Sequence, residues 1–182
     1  SAESESAFAS SPAALQLNIE AAGARAARTL GQATSTQAGY ALVEVESGSD
    51  PYGVAIFQYS QNGVLVSEAA VPASPPTLTG RIFIDYRPNL TVPATSFAGQ
   101  FRGSVNVNTG FGIANPGAAA ATIRFTLRNA LGDLVTSATG TLGPGEHTAL
   151  LVSDLSTFAP GFNVPAGFAS PGFGSLDLET LW

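Results

Sequence analysis

Apolar and polar residues alternate with a period of two along most of this chain, and no segment carries a sustained 3.6-residue period flanked by caps. The clearest strand is 122–129, where Ile123, Phe125 and Leu127 face away from Arg124, Thr126 and Arg128. Ile82, Ile84 and Tyr86 alternate in the same way with Arg81, Asp85 and Arg87, and Val43 and Val45 alternate with Glu44 and Glu46. Shorter strands are expected over 15–21, 25–30, 101–108, 110–115, 134–142 and 147–152. The stretches 54–60 and 64–71 flank Gln61-Asn62-Gly63. Asn-Gly tolerates the positive φ angles of a type I′ turn, so these two stretches read as a hairpin. Pro72, Pro75 and Pro76 end that block, because proline cannot donate to a ladder.

Short β-branched and aromatic strands separated by frequent turn signals indicate an all-β protein. The expected form is an antiparallel, immunoglobulin-like β-sandwich of one or two lobes. The expected organisation is an N-terminal arm over 1–14, a first β lobe over 15–79 and a second over 80–182, with a single merged sandwich as the alternative. Residues 172–179 (GFGSLDLE) restate residues 39–46 (GYALVEVE). The first copy is followed by the 54–71 hairpin, whereas the second is followed only by Thr180, Leu181 and Trp182. The terminal repeat therefore reads as incomplete, with an open strand edge at Leu176, Leu178, Leu181 and Trp182 that a segment of another subunit would complete.

Composition narrows the function classes. The 182 residues are 45% hydrophobic and only 11% charged, enough for a real core beneath a surface with few charges. Thirteen acids against seven arginines, with no lysine, give a net charge of −6. That balance argues against nucleic acid, which needs clustered positive charge. No apolar run reaches the roughly 18 residues that a membrane span requires. The absence of cysteine excludes disulfides and thiolate metal sites. With no methionine and a start at Ser-Ala-Glu-Ser, the chain reads as processed or trimmed, which suggests a removed export signal.

Catalytic arrangements are weak. His147 is the sole histidine; on a strand, Asp154 would fall on the opposite face and Ser153 about 20 Å along it. Glu44 with Glu46 and Asp177 with Glu179 share faces pointing away from the apolar side, where carboxylates are solvated rather than held across a cleft. The loop 46–50 (ESGSD) is the one candidate for calcium and lacks a ladder of acids. Gly110-Phe111-Gly112 has no strand-to-helix context and is no phosphate loop. No enzyme activity, metal or cofactor is expected. Asn89-Leu90-Thr91 is an Asn-x-Thr triplet, making Asn89 the candidate glycosylation position. Phe158, Phe162 and Phe168 lie on a Pro/Gly-rich connection over 156–174. Loops of that length are often functional, and exposed rings there would form a patch suited to an inter-subunit contact.

The run Val107-Asn108-Thr109-Gly110-Phe111-Gly112-Ile113-Ala114-Asn115-Pro116 resembles a signature of repeated β-sandwich modules in large bacterial secreted or surface proteins. Thr122–Asn129, the turn at Gly132-Asp133, Pro144-Gly145-Glu146 and Leu151-Val152-Ser153-Asp154-Leu155 resemble the continuation of that signature. The resemblance implies an immunoglobulin-like fold and an extracellular, cell-surface location. The resulting expectation is a structural subunit of a bacterial filament or surface assembly, a homo-oligomer or polymer joined by strand complementation. The alternative is an adhesin module that binds a glycan or host surface.

Overall fold

The computed structural model describes residues 5–8, 14–29, 39–92 and 103–181. Its contacts divide the chain into two units, Ser1–Gly39 and Tyr40–Trp182. In the first unit β1 (Glu5–Phe8) pairs in parallel with β2 (Ala26–Thr29). The N-terminal arm thus carries a strand at 5–8. The 15–21 stretch forms none, ending instead in a turn where Ala22 takes a φ of 58° and the Gly23 N–H donates to the Glu20 carbonyl.

The second unit is all-β and mostly antiparallel. It contains β3 (Val54–Gln61), β4 (Val64–Pro72), β5 (Thr79–Asp85), β6 (Arg87–Val92), β7 (Gly103–Val107), β8 (Gly110–Ala114), β9 (Ala121–Asn129), β10 (Leu134–Leu142), β11 (His147–Leu151) and β12 (Phe173–Leu181). Four strands form one sheet in the order β10-β9-β12-β5, and β8 pairs with β11, β6 with β7 and β3 with β4. The turns follow local chemistry. Asn62 and Gly63 take φ values of 52° and 77°, as the hairpin requires. The Asn129 side chain accepts from the N–H groups of Leu131 and Asp133, both at 2.9 Å, and so folds the β9–β10 connection.

The core lies on one face of the four-stranded sheet. Ile84, Phe125, Leu127 and Leu176 are fully buried there. They are covered by Val152 and Leu155 of a 3-10 turn (Val152–Thr157) and by Ala159, Phe162 and Phe168, with Phe111, Ile113 and Leu150 of β8 and β11 packed alongside. The opposite face carries Arg81, Arg124, Thr126, Arg128, Asp177 and Glu179, as the period-two pattern demands, with Phe83 and Phe173 among them.

Three expectations are corrected. Residues 40–46 form no strand: Leu42, Val43 and Val45 are exposed and have no ladder partner, because alternation alone supplies no neighbour to pair with. Among the residues from 14 to 79 whose burial is described none is buried, so those residues form no core of their own where a first lobe was expected. The copy of 39–46 at 172–179 is not an open edge, since β12 runs between β9 and β5 and pairs with both. What completes it is β5, which lies far upstream in sequence.

Candidate assembly surface

The residues singled out from the sequence fall in different places. Phe162 and Phe168 are 4% and 6% exposed, inside the core of their own unit. Phe158 packs edge-on to Phe125 with ring centroids 5.9 Å apart. These three rings therefore belong to the core of their own unit rather than to an exposed patch. The physical reason is two glycines: the Phe158 ring lies over Gly140 of β10, and the Phe168 ring lies over Gly174 of β12. With no Cβ in the way, the loop's aromatics sink onto the sheet. Leu178 is half-buried against the core, while Leu181 falls on the other face by alternation. Trp182 lies outside the described residues. Asn89 is exposed on an irregularity of β6 with a φ of 59°, and its N–H donates to Asn106 Oδ1 at 2.9 Å, leaving the acceptor triplet at the surface.

No catalytic group is assembled from the candidates. His147 sits against the Tyr40 ring, 5.6 Å between centroids. The Ser153 hydroxyl donates to Asp154 at 2.9 Å and accepts from Asn108 Nδ2 at 2.8 Å. Asp177 and Glu179 are held by arginines rather than across a cleft. Asp177 bonds Arg81 and, at 3.1 Å, Arg128, while Glu179 meets Arg124 at 3.1 Å. The hydrogen bond from Arg81, helped by Arg128, holds the Asp177 carboxyl below the usual range, and Asp177 raises Arg81 in return. No group of three or more metal-ligating side chains occurs among the described residues, the 46–50 loop included.

What the sequence did not single out is the exposure of the β3–β4 hairpin. Its arms form a ladder, broken by a register shift between Tyr59 and Ser60, in which Ala55 faces Val71 and Phe57 faces Ala69 on one side. On the other side Val54 faces Pro72 and Ile56 faces Ala70, before Gln58 Nε2 donates to Glu68 at 2.7 Å. Both faces are therefore apolar over the half of the hairpin nearest β5. Val54, Ile56, Phe57, Val64, Leu65 and Val71 remain 51–66% exposed. An isolated hairpin is at best marginally stable in water, and an exposed one that is apolar on both faces lacks the solvated side that edge strands normally carry. The missed signal was in the sequence: neither arm alternates cleanly with charge, as 123–128 does.

A second surface feature lies on the polar face of the sheet. Phe83 is 65% exposed and stacks on Phe173 at 6.0 Å, with the Arg87 guanidinium 4.9 Å from the Phe173 ring and bonded to Asp85. Comparison with known proteins adds no relative: no family model matches the chain, and no curated protein or solved structure matches it significantly. Among the described residues no helix is long and apolar enough to cross a membrane.

Proposed function

We propose that the chain is a structural subunit of an extracellular bacterial filament or surface assembly, with subunits of immunoglobulin-like build joined by strand complementation. The observation that carries this reading is the β3–β4 hairpin, apolar on both faces with Val54, Ile56, Phe57, Val64, Leu65 and Val71 left largely exposed. Completing the burial of its six exposed apolar side chains would contribute on the order of 6 kcal/mol, a useful share of the cost of holding two subunits together. The sparse charge of the surface supports the same reading, since only 11% of residues are charged. The extracellular bacterial setting rests on the resemblance of the 107–116 run. The joint is placed at the hairpin, in place of the open C-terminal edge that the sequence suggested another subunit would complete.

The Phe83–Phe173–Arg87 cluster favours a second reading, a glycan-binding surface in which exposed rings stack on sugars and Arg87 and Asp85 meet hydroxyls. The experiment that tests the first reading is sedimentation of the full chain beside a variant carrying Phe57→Ser and Val71→Ser. The variant should remain monomeric where the parent assembles, with the unfolding transition of the core unchanged. A parent and variant of equal size would contradict the assembly reading. Binding of soluble glycans lost on Phe83→Ser would support the second.

A further inference from the structure

The sheet carries its own description of where a partner strand fits. β5 gives one edge to β12: the Tyr86 N–H donates to Gly172 and the Thr180 N–H to Leu78, both at 2.8 Å. In an antiparallel ladder every second residue bonds to a given neighbour, so the even-numbered residues of β5 face β12 and Thr79, Arg81, Phe83 and Asp85 face outward. The two ends of that outer edge are closed by threonine hydroxyls. Thr77 Oγ1 accepts from the Thr79 N–H at 3.3 Å and donates to the Thr79 carbonyl at 2.8 Å. Thr109 Oγ1 accepts from the Asp85 N–H at 2.8 Å and donates to the Asp85 carbonyl at 3.3 Å. Between these caps the N–H and C=O groups of Arg81 and Phe83 have no partner among the described residues, an opening of two rungs.

The hairpin offers a matching edge. The Ala73 N–H donates to Gly53 at 2.9 Å, and with the register this makes 55/71, 57/69 and 59/67 the bonded pairs. Val54, Ile56 and Gln58 then turn their backbone groups outward from β3, and Glu68, Ala70 and Pro72 do so from β4. The β4 edge ends at a proline with no N–H; the β3 edge is uninterrupted.

We propose that β3 of one copy pairs antiparallel with the open rungs of β5 in a second copy, Ile56 opposite Phe83 and Gln58 opposite Arg81. This rests on the assembly reading and specifies its joint. The pairing sets a β-branched side chain beside an exposed ring and places Phe57 next to half-buried Ile82 on the core face. Pairing within one chain is disfavoured. The linker 73–78 leads from β4 into β5, so a cis hairpin would present β4, the edge ending at Pro72, through a connection stiffened by Pro75-Pro76. Putting β3 against its own β5 would require that connection to cross the hairpin.

The test uses proline at outward-facing positions, where the hairpin's or sheet's own ladder loses no donor. Ile56→Pro and Phe83→Pro should each raise the assembly dissociation constant at least about tenfold, the effect of one or two lost hydrogen bonds. Ala70→Pro, on the β4 edge, should assemble like the parent. Amide exchange at Arg81 and Phe83 should slow at least about tenfold in assemblies relative to dissociated subunits, a measurement that needs no variant to fold. A parent that assembles with Ile56→Pro and Phe83→Pro behaving like it, or with unchanged exchange at both amides, overturns the joint and leaves the assembly reading standing. Disruption by Ala70→Pro alone overturns it in favour of β4. A parent monomeric at every concentration removes both.

Discussion

Adding one methyl group at Gly140 tests whether the phenylalanine loop belongs to the core. Gly140 is buried in β10 opposite Ile123. A Cβ there would lie 2.5 and 2.6 Å from two ring carbons of Phe158 and 2.8 Å from the Phe158 carbonyl oxygen. Carbon contacts settle near 3.5–4.0 Å, so the neighbour must retreat by about 1 Å. The ring cannot do so freely, because Phe125 stands edge-on to it. The carbonyl cannot either, since the turn is tied down where the Phe158 and Ala159 N–H groups donate to Leu155 at 3.1 and 2.8 Å. Overpacking of this kind costs about 1–3 kcal/mol, and the lower unfolded-state entropy of alanine returns about 0.4–1 kcal/mol. Gly140→Ala should therefore destabilise by about 1–2 kcal/mol, a fall in Tm of about 3–10 °C. Thermal and urea unfolding, read by circular dichroism, measure it. Gly167→Ala is the control: nothing lies within 4 Å of its Cβ position, so it should stay within about 0.5 kcal/mol of the parent. If Gly140→Ala is as stable as Gly167→Ala, Phe158 does not sit on β10 and the loop is free for a partner.

Other outcomes follow from the same packing. Phe162→Ser should cost about 3–5 kcal/mol in subunit stability, seen as a large drop in the urea midpoint, whereas an interface role would leave that midpoint unmoved. Asn115→Ala should cost about 2 kcal/mol by urea titration. Its Nδ2 lies 2.7–3.1 Å from the carbonyls of Ala119, Leu142 and Gly143, and its Oδ1 accepts from Gly117. Asp177→Asn should lower stability on the order of 1 kcal/mol at neutral pH. Because the native Asp177 carboxyl is held below its ordinary value, its contribution is complete above about pH 4 and fades as pH falls through the depressed native value. The stability curves of Asp177→Asn and the parent should therefore converge in acid; a gap that persists there would show the loss is not electrostatic.

The regular strands were legible because one face is buried: Ile123, Phe125 and Leu127 fix both the strand and its orientation, and Asn62-Gly63 fixes the hairpin. Position in the sheet was not legible. GFGSLDLE and GYALVEVE carry the same alternation, yet one is a central strand and the other forms no strand, since pairing depends on what arrives from elsewhere in the chain. The fate of Phe158 and Phe168 turned on single glycines in β10 and β12, residues that a pattern of polar and apolar positions reads as weak strand formers. The candidate surface was half legible. The hairpin's apolar arms were visible, but whether the unit covers them is a tertiary fact. The threonine caps at Thr77 and Thr109, which leave two open rungs on β5, carry no sequence signal beyond being hydroxyls.

Sedimentation velocity of the unmodified chain over a wide concentration range addresses the central claim most directly. Subunits that complete one another through the β3–β4 hairpin should sediment faster as concentration rises, passing from 18.4 kDa monomers to large assemblies. A single species at the monomer mass throughout the range would contradict the account.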